Sequence, residues 1–430
     1  MITVGEASAR ILRKIHPLDA ESVPLERAAG RVLAGRVVAT TTSPPWDNSS
    51  MDGYAIRSAD LVIGESALQS QTGGVDASRR RHLKVVATIA AGQYALRPLG
   101  AGEAMRIMTG APIPLGADSV IRIEDTDRGA ERVAVTDLRD LRRNIRRAGE
   151  DFTEGQTLFE PATEVRAAHL GVLASAAVRE VSVCRKPRVA ILSSGDELVE
   201  LRDYSLQDPG ARIISANSWT LHELILGAGG EPVDLGIAAD TPASLREKLE
   251  LTQRERCDLI ITSAGVSVGD LDYVRFVFAE MGGELDFWRV RMRPGAPMAF
   301  GTLRGIPWLG FSGNPVSAMV SFEIFGRAAI RKMGGHEKLH RALIPVRLAE
   351  PVEIAAPLTH FLRASVTRTD DGGYLARLTG SQSSAVLTSM ARANALLVVP
   401  PERASNPAGA LIDALPLTDD LGMTSDFQIQ

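Results

Sequence analysis

Apolar residues recur in two rhythms along the chain, and the switches between them mark its parts. Thr3-x-x-Glu6 ahead of Ala7, Ile11 and Ile15 reads as a capping box opening a helix with one apolar side. A short second helix and a strand over Arg31–Val38 are expected next. From about Ala55 to Arg143, short β-type runs such as LKVVATIAAG, AMRIMTG, DSVIRIED and ERVAVTD alternate with glycine turns, which predicts a small all-β part. Helical and strand patterns resume at Glu164–Ala177 and Val178–Val183, so the β part reads as an insertion into the first domain.

From Lys186 to about Gly335 the rhythm changes to strand–helix alternation. RVAILSS and DLIITSAG are buried-strand runs, and ANSWTLHELILGAGG and TPASLREKLELTQRE are helical. Alternation of this kind predicts a mostly parallel sheet covered by helices, with ligands at the carboxyl ends of the strands. The apolar Val316–Ile330 stretch reads as a core-facing helix. After about His336 the chain is β-rich again, and Asp371-Gly372 between two alternating runs signals a hairpin in a terminal barrel or sandwich. The boundaries expected are 1–50 with 144–182, 51–143, 183–336 and 337–430.

Composition narrows the possibilities. The 430 residues carry a formal charge of -4, which gives no general attraction to nucleic acid or acidic lipid. The run RDLRRNIRR, Arg139–Arg147, lacks interleaved aromatics and reads as a solvated face. The two cysteines have no metal-ligand spacing, and the seven histidines form no zinc-type cluster. With no signal-peptide core and no apolar run of membrane-spanning length, a cytoplasmic protein is expected.

Three loop motifs fall where the α/β part should bind its ligand. SSGDELVE places Asp196 and Glu197 just past a buried strand, suited to Mg²⁺ or to capping the next helix. TSAGVSVGDLDY offers small residues and the hydroxyls of Ser263 and Ser267 to an anion, with Asp270 and Asp272 at the rim. FSGNPVSAM adds Ser312, Gly313, Asn314 and Ser317 ahead of a helix. In WRVRMRPGAP, Arg289, Arg291 and Arg293 are expected to alternate onto one strand face as a guanidinium row. A phosphate-bearing small ligand is the best reading of these residues alone.

The motifs PPWDNSSMDGYAIR, RIMTGAPIPLGAD, RRAGED, SSGDEL, SAGVSVGDLDY, MRPGAP and SGNPVSA together resemble the MoeA-type molybdopterin molybdotransferases, the gephyrin E-domain family, over essentially the whole chain. The resemblance implies an elongated N-terminal domain with an inserted β domain, a MogA-like α/β domain and a C-terminal β-barrel. It implies a homodimer whose active site lies between the α/β part of one subunit and the inserted region of the other. The implied reaction takes adenylyl-molybdopterin, from an upstream adenylyltransferase, and molybdate to molybdenum cofactor and AMP. Matching motifs give Asp52, Thr109, Asp151, Glu197, Asp240 and Asp272 as catalytic, with Glu197 and Asp272 holding Mg²⁺. They give Ser263, Gly265, Ser267, Arg289, Arg293, Ser312, Gly313, Asn314 and Ser317 to the pterin substrate, and Pro297, Arg363 and Ser384 to molybdate. This chain departs from the family pattern at Ala264, Ala296 and Ser312. If position 264 takes positive φ, its alanine costs stability. Insertion of tungstate, and binding of the cofactor without turnover, are the alternative readings.

Overall fold

A computed structural model describes residues 1–61, 82–207, 210–264 and 273–423. The α/β part is a six-stranded sheet in the order Glu231–Ala238, Arg188–Ser194, Leu259–Ser263, Ile306–Phe311, Ala299–Leu303, Glu284–Trp288. The first four strands run parallel, and the last two pairings are antiparallel, so only Ala299–Leu303 runs against the rest and the expectation of a mostly parallel sheet holds. Parallel strands buried on both faces need apolar residues at nearly every position. Accordingly, Leu259–Ser263 is buried throughout.

Helices Ala216–Gly227 and Pro242–Arg254 connect the parallel strands. The second starts at Pro242, and the Thr241 hydroxyl accepts the Ser244 amide at 3.3 Å. The core-facing Pro315–Met333 run is helical throughout, with a π-helical turn at Phe322–Gly326 between two α segments. A buried ion pair joins that turn to the second α segment, Glu323 Oε2 to Arg327 Nε at 2.7 Å.

The N-terminal helix Val4–Lys14 is capped by Thr3, whose hydroxyl accepts the Glu6 amide at 3.1 Å. The Glu6 carboxylate accepts from Arg10 at 2.8 Å. Ala7, Ile11 and Ile15 are buried in one core with Val189, Ile191, Phe325 and Ile330, so this helix packs on the α/β part. Arg31–Val38 differs from the expected strand. Val32 and Leu33 form isolated bridges, and only Val37–Val38 is a strand, pairing with Thr157–Phe159. No second α-helix follows the first there; strand Ala20–Pro24 pairs with Glu180–Cys184 and leads into a single 3-10 turn.

A five-stranded sheet forms the inserted β part, in the order Ser119–Arg122, Gly53–Ile56, Glu103–Ile107, His82–Ile89, Arg132–Ala134. Its neck is the antiparallel pair Asn48–Ser49 with Ile145–Arg146. At the C-terminal end five strands close into a barrel, with Thr359–Arg368 paired both to Tyr374–Leu378 and to Ala395–Val399. The Asp371-Gly372 hairpin is present, Gly372 taking φ +83°, where an L side chain is strained.

Candidate functional site

Two adjoining clefts open between the α/β part and the barrel, sharing Ser312 and Asn314 in their walls. The first, about 550 Å³, sits at the carboxyl ends of the parallel strands, between Ser194, Glu197, Asn217, Ser263, Ala264 and Gly313. Placement there follows from topology, because strand ends and helix starts leave backbone groups free to meet a ligand. Asn217, at the start of helix Ala216–Gly227, ties two turns together. Its Nδ2 donates to Ser263 Oγ and to the Gly313 carbonyl, each at 2.8 Å.

Ala264 takes φ +104°, so the alanine does occupy a left-handed position. The loops after strands Arg188–Ser194 and Glu231–Ala238 are clamped by two acids. The Asp240 carboxylate accepts the Ser194 hydroxyl at 3.0 Å, and the Asp196 carboxylate accepts the Asp240 amide at 3.0 Å. Glu197 is left to line the cleft.

The second cleft, about 670 Å³, has Arg293, Pro297, Ser312, Asn314, Ser317, Arg363 and Ser384 among its lining residues. The Pro294-Gly295 turn forms one wall. A Cβ at Gly295 would meet Ser321 Oγ at 2.7 Å, and its φ is +95°, so only glycine fits. Arg363, on barrel strand Thr359–Arg368, is fully buried. Its Nε donates to Ser389 Oγ at 3.1 Å, and its Nη2 to the carbonyls of Ser381 and Ser383 at 3.2 and 3.0 Å. Nη1 has no hydrogen-bond partner, and all the acceptors are neutral. Burial lowers this guanidinium's pKa to about 10, so it stays charged at neutral pH.

A third group lies on the inserted β part. Asp52 Oδ1 accepts both the amide and the hydroxyl of Thr109, at 2.7 and 2.8 Å. The Thr109 amide, then its hydroxyl and the nearby Arg106 charge, hold the Asp52 carboxyl below the usual range. The sequence-predicted pair is thus in contact, on the surface. Asp151 lies against the Ser43 carbonyl through its amide at 3.0 Å. None of Asp52, Thr109 and Asp151 lines either cleft.

The guanidinium row is corrected. Strand Glu284–Trp288 ends before Arg289, which takes φ +71°, and only Met292–Arg293 resumes a strand, against the barrel. Alternation onto one face requires continuous extended backbone, and the chain turns here. Arg293 lines the second cleft, whereas Arg289 lines neither. Arg291 turns its Nη2 to the Pro357 carbonyl at 3.3 Å. Gly265, Ser267, Asp270 and Asp272 lie outside the described residues. Among the described residues no group of three or more His, Cys, Asp or Glu side chains converges to hold a metal. No helix among them is long and apolar enough to cross a membrane.

Comparison with known proteins assigns these parts. Residues 2–177 match the model for the MoeA N-terminal region (domain I and II), 190–332 a probable molybdopterin binding domain, and 345–417 the MoeA C-terminal region (domain IV). A molybdopterin molybdenumtransferase of Haemophilus influenzae is 32% identical over 434 residues, covering 98% of this chain and all of that one. The chain belongs to the MoeA family. Another family member, a molybdopterin molybdenumtransferase of Nostoc sp., is 36% identical over 386 residues, 89% of this chain and 85% of that one. A crystal structure of a molybdopterin biosynthesis MoeA protein from Pyrococcus horikoshii aligns with a TM-score of 0.77 at 27% identity, covering 96% of this chain and 100% of that one. The expected family and multidomain fold class are therefore shown.

Sequence reasoning passed over Asn217 and Gln382 in these clefts and Ser389 behind Arg363. Asn217 carried one usable signal, a polar residue at the start of a helix that follows a buried strand. Gln382, whose Oε1 accepts the Arg363 amide at 2.9 Å, and Ser389 carried none, because barrel closure alone brings them to Arg363.

Proposed function

We propose that this chain inserts molybdenum from molybdate into molybdopterin presented as its adenylyl derivative, releasing AMP, in the cytoplasm. The observation that carries this reading is Arg363: a buried guanidinium, hydrogen-bonded only to neutral acceptors and with one nitrogen unpartnered, in the wall of the second cleft. A buried charge without a counter-charge is costly, and a bound oxyanion supplies the missing partner. The adjoining cleft takes the pterin and nucleotide, with Ser263, Ser312, Gly313 and Asn314 offering hydroxyls and turn amides to phosphate, Ser317 adding its hydroxyl from the second cleft, and Gly265 and Ser267 assigned to the same substrate by motif match. Ser312 and Asn314 border both clefts, so the dithiolene and the oxyanion meet there. Pro297 and Ser384 complete the molybdate wall, and Arg293 faces the substrate phosphate.

Glu197, together with Asp272, would hold Mg²⁺, which binds through one or two carboxylates plus substrate phosphates and neutralises a phosphoanhydride undergoing hydrolysis. Asp240 fixes the loop carrying Glu197 through Ser194 and Asp196. Asp52, Thr109 and Asp151 act across a homodimer interface on the other subunit's substrate, with Asp52 ionised and oriented by Thr109. This assignment goes with a four-part division at 1–50 with 144–182, 51–143, 183–336 and 337–430. The adenylylated substrate implies a separate upstream adenylyltransferase.

Mixing tests the shared site. Asp52→Asn and Glu197→Gln homodimers are each expected to release no AMP. Dissociated and reassociated together, they should recover roughly a quarter of wild-type release, because half the dimers then carry one intact site. No recovery in a mixture that demonstrably exchanges subunits would remove the shared-site assignment.

A further inference from the structure

The second cleft contains a buried titratable group with no part in the reaction proposed for the site. His360 is 5% exposed and lines the cleft, three residues before Arg363 on the same barrel strand. Its register partner on the neighbouring parallel strand is Arg293, and on the other side Val399, which carries no charge. His360 Nε2 lies 3.3 Å from the Ala356 carbonyl. A proton on Nε2 satisfies that carbonyl and leaves Nδ1 as the atom that titrates.

The charged and titratable side chains in this wall are Arg293, Glu353, His360 and Arg363. Two guanidinium groups against one carboxylate leave a single net positive charge while the imidazole is neutral. A tetrahedral dianion is matched only when His360 also carries a proton. Burial, reinforced by the Arg293 charge, keeps the free imidazole neutral by lowering its pKa below the ordinary value. An oxyanion beside it reverses both effects, since it cancels the Arg293 repulsion and pairs with the imidazolium. Glu353 and Arg293 are both exposed, so water screens their opposite charges alike and leaves the net charge of the wall unchanged.

We propose that His360 is a further oxyanion-binding residue, which takes up a proton as molybdate enters the cleft and so matches the charge of the cleft to that of the dianion. The inference rests on reading the cleft as the molybdate site. It makes affinity depend on pH through the protein, in a range where molybdate itself stays a dianion.

Isothermal titration calorimetry of molybdate into the whole protein at about pH 7.5, in buffers of differing ionisation enthalpy, reads proton uptake directly. Wild type should take up a substantial fraction of a proton per molybdate. Its Kd should tighten as pH falls from about 8 to 6.5, approaching tenfold per pH unit where the free imidazole is neutral and the bound one charged. In His360→Gln the uptake should vanish and the pH slope flatten, while some binding persists through Arg363. Molybdate binding by wild type without proton uptake overturns the His360 assignment and leaves the cleft reading intact. Uptake undiminished in His360→Gln overturns it equally. Failure of wild type to bind molybdate at all overturns the cleft reading itself. The wild-type uptake needs no variant to fold.

Discussion

Replacing Arg363 with methionine separates a residue kept for a ligand from one kept for the fold. Methionine follows the arginine stem out to about Nε, so the change removes charge and donors while keeping the apolar packing of the stem. The drop of this guanidinium to about pKa 10 corresponds to ~3 kcal/mol against holding the charge in its buried site. Against that stand three hydrogen bonds, to Ser389 Oγ and the Ser381 and Ser383 carbonyls; the one to buried Ser389 is lost outright, and its charged donor makes it worth about 1.5–3 kcal/mol. Ser381 and Ser383 are exposed, so water can replace the lost donors there.

The two effects nearly cancel. Ligand-free Arg363→Met should therefore unfold in urea within about 1 kcal/mol of wild type. Molybdate at a hundred times its Kd should stabilise wild type by about 2.7 kcal/mol and leave the variant unmoved. A ligand-free loss of about 3 kcal/mol or more would make Arg363 a structural residue. Molybdate protection retained in the variant would place the oxyanion elsewhere.

Other outcomes follow from single contacts. Ala264→Gly removes a side chain from φ +104° and should raise stability by about 0.5–1 kcal/mol by thermal unfolding, the relief of strain exceeding glycine's entropy cost. Asp52→Asn should lower AMP release at least about a hundredfold with an unchanged unfolding midpoint, because the carboxylate is exposed. Arg327→Leu leaves Glu323 buried with only Arg341, at 3.7 Å, and should cost about 3–5 kcal/mol in urea unfolding. Burial keeps His336, with Arg331 beside it, and His360 neutral in the fold, both below the ordinary histidine pKa. The unfolded chain then binds more protons below about pH 6.5, so ligand-free stability should be full above that value and fall beneath it. Unfolding curves between about pH 8 and 5.5 check this, and a flat profile would count against both assignments.

What could be read from the sequence was whatever local pattern decides. Leu259, Ile260 and Ile261 are apolar in succession because both sheet faces are covered, and Asp371-Gly372 needs one left-handed residue that glycine supplies. The family motifs then named Arg363, Asp52 and Thr109 before any geometry was available. Arg289–Arg293 misled because alternating residues look alike on a strand and in a chain that turns at a left-handed residue. The grouping of Gln382 and Ser389 around Arg363, and of His360 beside Arg293, depends on strands far apart in sequence closing a barrel. Local periodicity holds no record of that closure.

The narrow neck of the inserted part has a practical consequence for engineering. Asn48 faces Arg146 and Ser49 faces Ile145 on adjacent antiparallel strands, so the chain leaves and re-enters within one strand spacing, about 5 Å. A tight two-residue turn can bridge that gap, and excising everything between would leave the α/β core and barrel clusters whole. Such a shortened chain would keep both clefts and lose Asp52 and Thr109. It offers a scaffold for capturing substrate that ought to hold its cargo without passing it on.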